Sequence, residues 1–113
     1  MLSRANRVVQ AADYRATVRS GRRVGTAHTV VYLARREPDQ PSRFGFIVAK
    51  SVGGAVRRNV VRRRMKAIGY LLLDSLGDGS DIVIRALPGS DEVPWSTLQG
   101  EIAEAVDRGV ARR

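Results

Sequence analysis

The feature that most constrains the fold of this 113-residue chain is a long stretch after Gly53-Gly54 that carries one apolar stripe. Its apolar side chains recur every three or four residues, the spacing of one face of an α-helix: Val61, Met65, Ile68, Leu72 and Leu76. The glycine-rich segment 77–80 then ends the pattern. We therefore predict a long helix that ends near Leu76 and buries this apolar stripe against the rest of the chain.

Shorter β-branched and aromatic segments predict a small sheet for this helix to pack on. Strands are predicted over 28–35, 43–50 and 81–86, with a weaker fourth near 22–26, and the first two are expected to pair antiparallel. A short helix is predicted over 11–20. A last helix is expected to open at Ser96, which forms a capping-box pattern with Gln99. The expected fold is an α+β sandwich in the order α-β-β-β-α-β-α, with about four strands, as a single domain over residues 1–113.

The distribution of charge indicates a polyanionic partner. The formal net charge is +9, and residues 1–73 hold sixteen Lys and Arg against three carboxylates, a balance of +13. Residues 74–113 hold four Arg against eight carboxylates, a balance of −4. A merely solubilising surface would mix both signs. Eighteen of the twenty cations are arginine, whose planar fork binds phosphate and stacks on bases, which favours nucleic acid over membrane.

The predicted long helix carries cations next to its apolar stripe. At about 100° per residue, four cations and one amide share an arc of about 140°: Arg58, Asn59, Arg62, Arg63 and Lys66. We call these five residues the basic face. Like charges four residues apart repel by roughly a few tenths of a kcal/mol, and a facing phosphate backbone would reverse that sign. The alternative is a solvated run of charges, as on many surface helices.

The sequence contains no set of residues able to hydrolyse a phosphodiester by itself. It has no cysteine, and its only histidine, His28, starts a predicted strand without acidic neighbours. Asp74, Asp78 and Asp81 flank a glycine-rich turn, which favours a solvated turn over a metal site. The longest apolar run, 68–73, is too short to cross a bilayer, and the N-terminus has no apolar signal core. We therefore expect a cytoplasmic protein with no catalytic residue.

The segment 50–63 is similar to the signature of the bacterial ribonuclease P protein family. Its sequence is Lys-Ser-Val-Gly-Gly-Ala-Val-Arg-Arg-Asn-Val-Val-Arg-Arg, against Lys-Lys-hydrophobic-Gly-x-Ala-Val-x-Arg-Asn-Arg-hydrophobic-Lys-Arg in the family. Segments 13–21, 41–50 and 81–86 resemble the family's first helix, its Arg-Val-Gly-hydrophobic strand and its later strand. The resemblance thus covers nearly the whole chain.

The resemblance implies an RNA-binding subunit of ribonuclease P, with a left-handed βαβ crossover around the basic helix. It implies that the catalytic RNA contacts the basic face together with Lys50. It also implies that the 5′ leader of precursor tRNA lies in a cleft at Tyr14, Val18 and Tyr32, where aromatic rings can stack on unpaired bases. Tyr14 and Tyr32 have an alternative interpretation as ordinary core aromatics.

Three positions depart from the family pattern. Ser51 replaces the second lysine, Val60 replaces the second arginine of Arg-Asn-Arg, and Val18 replaces an aromatic residue. Val60 removes one expected phosphate contact, and Val18 removes one expected stacking platform.

The resemblance names ribonuclease P RNA and precursor tRNA as partners, with no membrane and no small-molecule substrate. The RNA would catalyse endonucleolytic removal of the leader. Mg²⁺ is expected mainly at the RNA, with no protein-bound cofactor or metal, because two-metal hydrolysis needs no protein base. The alternatives are a ribosomal-type structural RNA-binding protein, which would not prefer precursor over mature tRNA, and a free-standing nuclease, which would cleave without an RNA subunit. A membrane-surface helix is disfavoured, since the core needs the apolar stripe.

Overall fold

The computed structural model describes residues 1–112, which form three α-helices and four β-strands. In chain order they are α1 Ala11–Ser20, β1 Arg22–Gly25, β2 Thr29–Arg35, β3 Arg43–Ile47, α2 Ala55–Leu76, β4 Ser80–Ala86 and α3 Trp95–Arg112. Short 3₁₀ helices lie at Arg4–Asn6 and Lys50–Val52. The predicted order α-β-β-β-α-β-α is confirmed, and the weak fourth strand is β1.

The four strands form one mixed sheet in the order β1-β2-β4-β3. Strand β2 pairs antiparallel with β1 and with β4, whereas β3 pairs parallel with β4. The prediction that segments 28–35 and 43–50 pair antiparallel is therefore wrong. Strand β4 lies between them because Ile82, Val83 and Ile84 are all fully buried, and burial on both faces is typical of a central strand. Helix α2 forms the crossover connection between the parallel strands β3 and β4. The left-handed sense of this crossover stays a prediction.

The larger core lies under α2 and α3 on one face of the sheet. The apolar stripe of α2 is fully buried at Val61, Met65 and Ile68, while Leu72 and Leu76 pack at its margin. Helix α3 adds its own apolar side chains, the fully buried Leu98 and Ile102 and the nearly buried Val106. This packing leaves the adjoining side of α2, which holds the basic face, outside the core.

The start of α3 differs from the prediction. The helix begins at Trp95, and the N–H of Leu98 donates to the carbonyl of Pro94 at 3.3 Å. Ser96 therefore lies inside the first turn, so the prediction that Ser96 caps the helix is wrong. Pro94, one residue before the helix, marks its N-terminal boundary. The helix therefore begins before the capping-box residues.

Helix α1 lies on the other face of the sheet, over a smaller apolar cluster that contains Tyr32. The ring of Tyr14 packs on Gly45, where a Cβ would lie only 2.6 Å from Tyr14 Cε1, so this position of β3 requires glycine. The Tyr14 hydroxyl accepts a hydrogen bond from the N–H of Phe46 at 3.2 Å. That contact satisfies a donor on the outer edge of β3, the last strand of the sheet, beyond the point where Arg7 bridges to Phe44.

Arg43 ties α1 to the sheet by ion pairs. Its guanidinium donates to the Asp81 carboxylate at 2.7 and 2.8 Å and to Asp13 of α1 at 3.4 Å. Arg36 Nε lies 3.5 Å from the same Asp81 carboxylate. The hydrogen bond with Asp81 is the main cause that raises the pKa of Arg43, so this side chain stays charged inside the fold. Asp81 thus belongs to an ion-pair network and not to a solvated turn.

Candidate nucleic-acid interface

Helix α2 presents the predicted basic face on the side that the core leaves uncovered. Asn59, Arg63 and Lys66 are exposed, and Arg58 and Arg62 are half-buried. The Arg62 guanidinium donates to Asn59 Oδ1 at 2.9 Å, which orders these two side chains. Within residues 1–112, the cations of the basic face have no carboxylate partner. Their charge is therefore available to an external anion. Lys50, in the 3₁₀ helix before α2, is exposed as well.

The other arginines of α2 hold the loop that precedes α3. Arg57 Nη1 lies 3.4 Å from Asp91 Oδ2, and Arg64 donates to the carbonyl oxygen of Val93 at 2.9 Å. Val60 lines a cavity of about 350 Å³ on this side, together with Arg57 and Asp91. The departure at Val60 therefore lies outside the basic face. Arg57 and Arg64 both contact the protein itself on this side of α2.

A cleft lies between α1 and the sheet on the opposite face. Its cavity of about 330 Å³ is lined by Tyr14, Val18 and Ile47 together with Arg15 and Arg19. Apolar side chains beside cations suit a nucleic-acid strand, whose bases stack while its phosphates are neutralised. Sequence reasoning missed Ile47, Arg15 and Arg19. The two arginines could have been found from the sequence, because each directly follows a predicted cleft residue.

Tyr32 does not line this cavity. It is only 5% exposed and belongs to the apolar cluster beneath α1. The guanidinium carbon of Arg85 lies 5.7 Å from the centroid of its ring, a cation–π contact. The structure thus brings Tyr14 and Val18 to the cleft and places Tyr32 below them. Arg85 was also missed, although its alternation with Val83 along β4 puts both on one face of the sheet.

Tyr14 connects the cleft to the basic face. At the edge of β3 it lines a further cavity of about 260 Å³ with Phe46 and with Arg62 and Lys66 of α2. The edge of the sheet brings these surfaces together, because α1 and α2 approach β3 from opposite faces. The cleft and the basic face are therefore neighbouring parts of one surface.

The part of the chain that the structure describes offers no cluster of three or more His, Asp or Glu side chains that could hold a metal ion. His28 instead pairs with Glu101, with 3.0 Å between Nδ1 and the carboxylate. None of the helices within residues 1–112 is long and apolar enough to cross a membrane.

The sequence matches a known protein family over most of its length. The model of the family described as Ribonuclease P matches residues 2–109. The chain belongs to the ribonuclease P protein family. The ribonuclease P protein component of Clavibacter michiganensis is 54% identical over 110 residues, which are 97% of each chain. That of an Arthrobacter species is 43% identical over 99% of this chain and 82% of the relative.

As a member of the family, the chain is a protein component of the ribonuclease P holoenzyme, which acts in tRNA processing. Solved ribonuclease P proteins share its fold. The Staphylococcus aureus protein has a TM-score of 0.79 at 23% identity, covering 96% of this chain and 97% of that one. The Thermotoga maritima protein has a TM-score of 0.80 at 24% identity, covering 90% and 96%. The α+β fold with a four-stranded mixed sheet is therefore that of the family.

Proposed function

We propose that this ribonuclease P protein binds the catalytic RNA through its basic face and Lys50, and the 5′ leader of precursor tRNA in the cleft beside α1. The RNA performs the hydrolysis that releases the leader and holds the Mg²⁺ ions required for it. The chain supplies binding and neutralises charge, and it contributes no catalytic residue. Its place of action is the cytoplasm, where precursor tRNA is made in bacteria.

The observation that carries the proposal is the position of Tyr14, which lines both the cleft and a cavity shared with Arg62 and Lys66. A strand that leaves the cleft past this ring meets the basic face directly. One continuous surface can therefore contact the leader and the catalytic RNA at once, as a substrate cut at the junction of leader and tRNA requires.

The chemistry of the two surfaces supports different ligands. The cleft combines an aromatic ring and aliphatic side chains with Arg15 and Arg19, which suits unpaired bases and their phosphates. The basic face offers cations and one amide on a rigid helix, which suits a folded RNA backbone. Leader contacts act on binding and not on the reacting bond, so they favour precursor over mature tRNA and reduce the Mg²⁺ needed to hold two RNAs together.

Reconstitution with the cognate RNA subunit at low Mg²⁺ tests the proposal. Val18→Asp places a carboxylate in the cleft, and Ala16→Asp makes the same charge change on the exposed side of α1. The new carboxylate repels the phosphates of the leader, so Val18→Asp should lower the preference for precursor over mature tRNA by roughly tenfold, which corresponds to about 1.4 kcal/mol. Ala16→Asp should keep that preference, and both variants should keep their affinity for the RNA subunit.

Two results would contradict the proposal. If folded Val18→Asp keeps its preference for precursor over mature tRNA, the leader does not bind in the cleft. Failure of the unaltered protein to stimulate cleavage, or equal binding of precursor and mature tRNA, would favour a ribosomal-type structural role.

A further inference from the structure

An apolar groove lies beside the basic face and shares Arg63 and Lys66 with it. It has a volume of about 440 Å³ and runs between the N-terminal segment and the second half of α2, lined by Leu2, Arg7, Arg63, Lys66, Tyr70 and Leu71 among others. Tyr70 and Leu71 are 50% and 53% exposed, although their side chains are large and apolar. Single exposed apolar residues are common on proteins, but a concave cluster of them indicates a binding site.

Cations surround this apolar floor. Arg7, Arg63 and Lys66 line the groove, and within residues 1–112 they have no carboxylate partner. Arg63 and Lys66 also belong to the basic face. An occupant must therefore combine a flat apolar surface with negative charge, and it must be continuous with whatever covers the basic face.

We propose that the groove binds an unpaired nucleobase of the ribonuclease P RNA, stacked on Tyr70, with its adjoining phosphates at Arg7, Arg63 and Lys66. This inference rests on the proposed binding of that RNA to the basic face. The cavity falls within the range of about 300–1,000 Å³ typical of small-ligand sites, which suits one nucleotide. An aromatic ring accepts any base, because every base has a π-face, so the site reads an extruded nucleotide and not its identity.

Two other occupants fit the observations less well. A second copy of the chain carries a net charge of +9, so it could approach the three unpaired cations favourably only through its segment 74–113. A lipid surface is contacted by protruding apolar side chains, whereas these form a concave floor. RNA satisfies both the apolar and the cationic part of the groove, and it continues onto the basic face without a break.

The test compares Tyr70→Ala, Tyr70→Leu and the control Tyr70→Phe in binding to the cognate RNA subunit over a range of salt concentrations. Loss of one base–aromatic stack weakens binding by about 5- to 150-fold in Tyr70→Ala. Tyr70→Leu keeps the apolar surface but lacks the ring, so it should lose nearly as much, while Tyr70→Phe stays within about twofold of the unaltered protein. The salt dependence should not change, because no cation is removed. Chemical probing of the RNA should show an unpaired base protected by the unaltered protein and by Tyr70→Phe only.

Each contrary result has a distinct meaning. Unchanged affinity in folded Tyr70→Ala, or no base whose protection depends on the ring, overturns the inference while leaving the basic face intact. If RNA affinity does not depend on Tyr70 but self-association does, the groove binds a second copy of the chain. If binding to anionic lipid vesicles depends on Tyr70 instead, the groove binds a lipid surface. An unaltered protein that does not bind the RNA overturns both this inference and the proposed function.

Discussion

Gly45→Ala tests whether the ring of Tyr14 fixes the position of α1. The new Cβ would lie 2.6 Å from Tyr14 Cε1 and 2.8 Å from Cζ, whereas ordinary contact begins at 3.4 Å. The ring must therefore move by most of an ångström. Its hydroxyl then leaves the N–H of Phe46, which it meets at 3.2 Å.

The expected cost follows from these two changes. Overpacking costs about 1–3 kcal/mol, and a lost hydrogen bond costs about 0.5–1.5 kcal/mol. We expect Gly45→Ala to lower the free energy of unfolding by about 2–4 kcal/mol. Gly25→Ala is the matched control on the same sheet, because a Cβ there has no heavy atom within 4 Å. It should be neutral or stabilise the fold by up to about 1 kcal/mol.

Urea unfolding followed by far-UV circular dichroism measures both variants. The same glycine substitution in a Tyr14→Ala background removes the clash and should cost less than about 1 kcal/mol, which gives a coupling of about 2 kcal/mol. Equal effects of Gly45→Ala in the two backgrounds would refute the reasoning, as would an effect no larger than that of Gly25→Ala.

Three further substitutions, one of them with a matched control, test individual positions. Tyr14→Phe should lower the free energy of unfolding by about 1 kcal/mol, because a backbone N–H of β3 loses its acceptor. If the variant instead loses its preference for precursor tRNA, the hydroxyl contacts RNA. Asp81→Asn should lower it by about 3 kcal/mol in thermal or urea unfolding, because the largely buried Arg43 loses its main partner. The exposed Asp78→Asn should stay within about 0.5 kcal/mol, and a similar loss there would contradict the assignment. Val60→Arg should leave the salt dependence of RNA binding unchanged, because position 60 faces the acidic loop before α3, and a steeper dependence would place it on the RNA side.

The order of elements could be predicted because periodicity is a local property of the sequence. The strand order could not, since it depends on which strand the core covers on both faces. Ile82, Val83 and Ile84 carried that information as an uninterrupted apolar run, which indicates a central strand. The capping-box pattern at Ser96 failed because a neighbouring residue, Pro94, already marks the helix start.

The candidate site could likewise be predicted only where it depends on local sequence. The basic face lies on one arc of one helix, so helical spacing alone identifies its members. Tyr32 and Tyr14 could not be distinguished, because the burial of Tyr32 depends on how α1 covers the sheet. The groove at Tyr70 could not be predicted either, since the N-terminal segment that forms its other wall is distant in the sequence.

The central claim is that Arg58 and Arg62 contact RNA while Arg57 and Arg64 contact the protein. The most direct test is the salt dependence of affinity for the cognate RNA in Arg58→Gln/Arg62→Gln and in Arg57→Gln/Arg64→Gln, which both change the formal net charge from +9 to +7. Each lost phosphate contact lowers the slope of log K against log salt by about 0.7–0.9. The first variant should therefore lose about 1.4–1.8 in slope and about 20-fold in affinity at about 0.15 M salt. The second, if circular dichroism shows it folded, should change by less than about 0.5 in slope. Equal losses in the two variants would show that the RNA responds to net charge alone, and they would contradict the basic face as the binding surface.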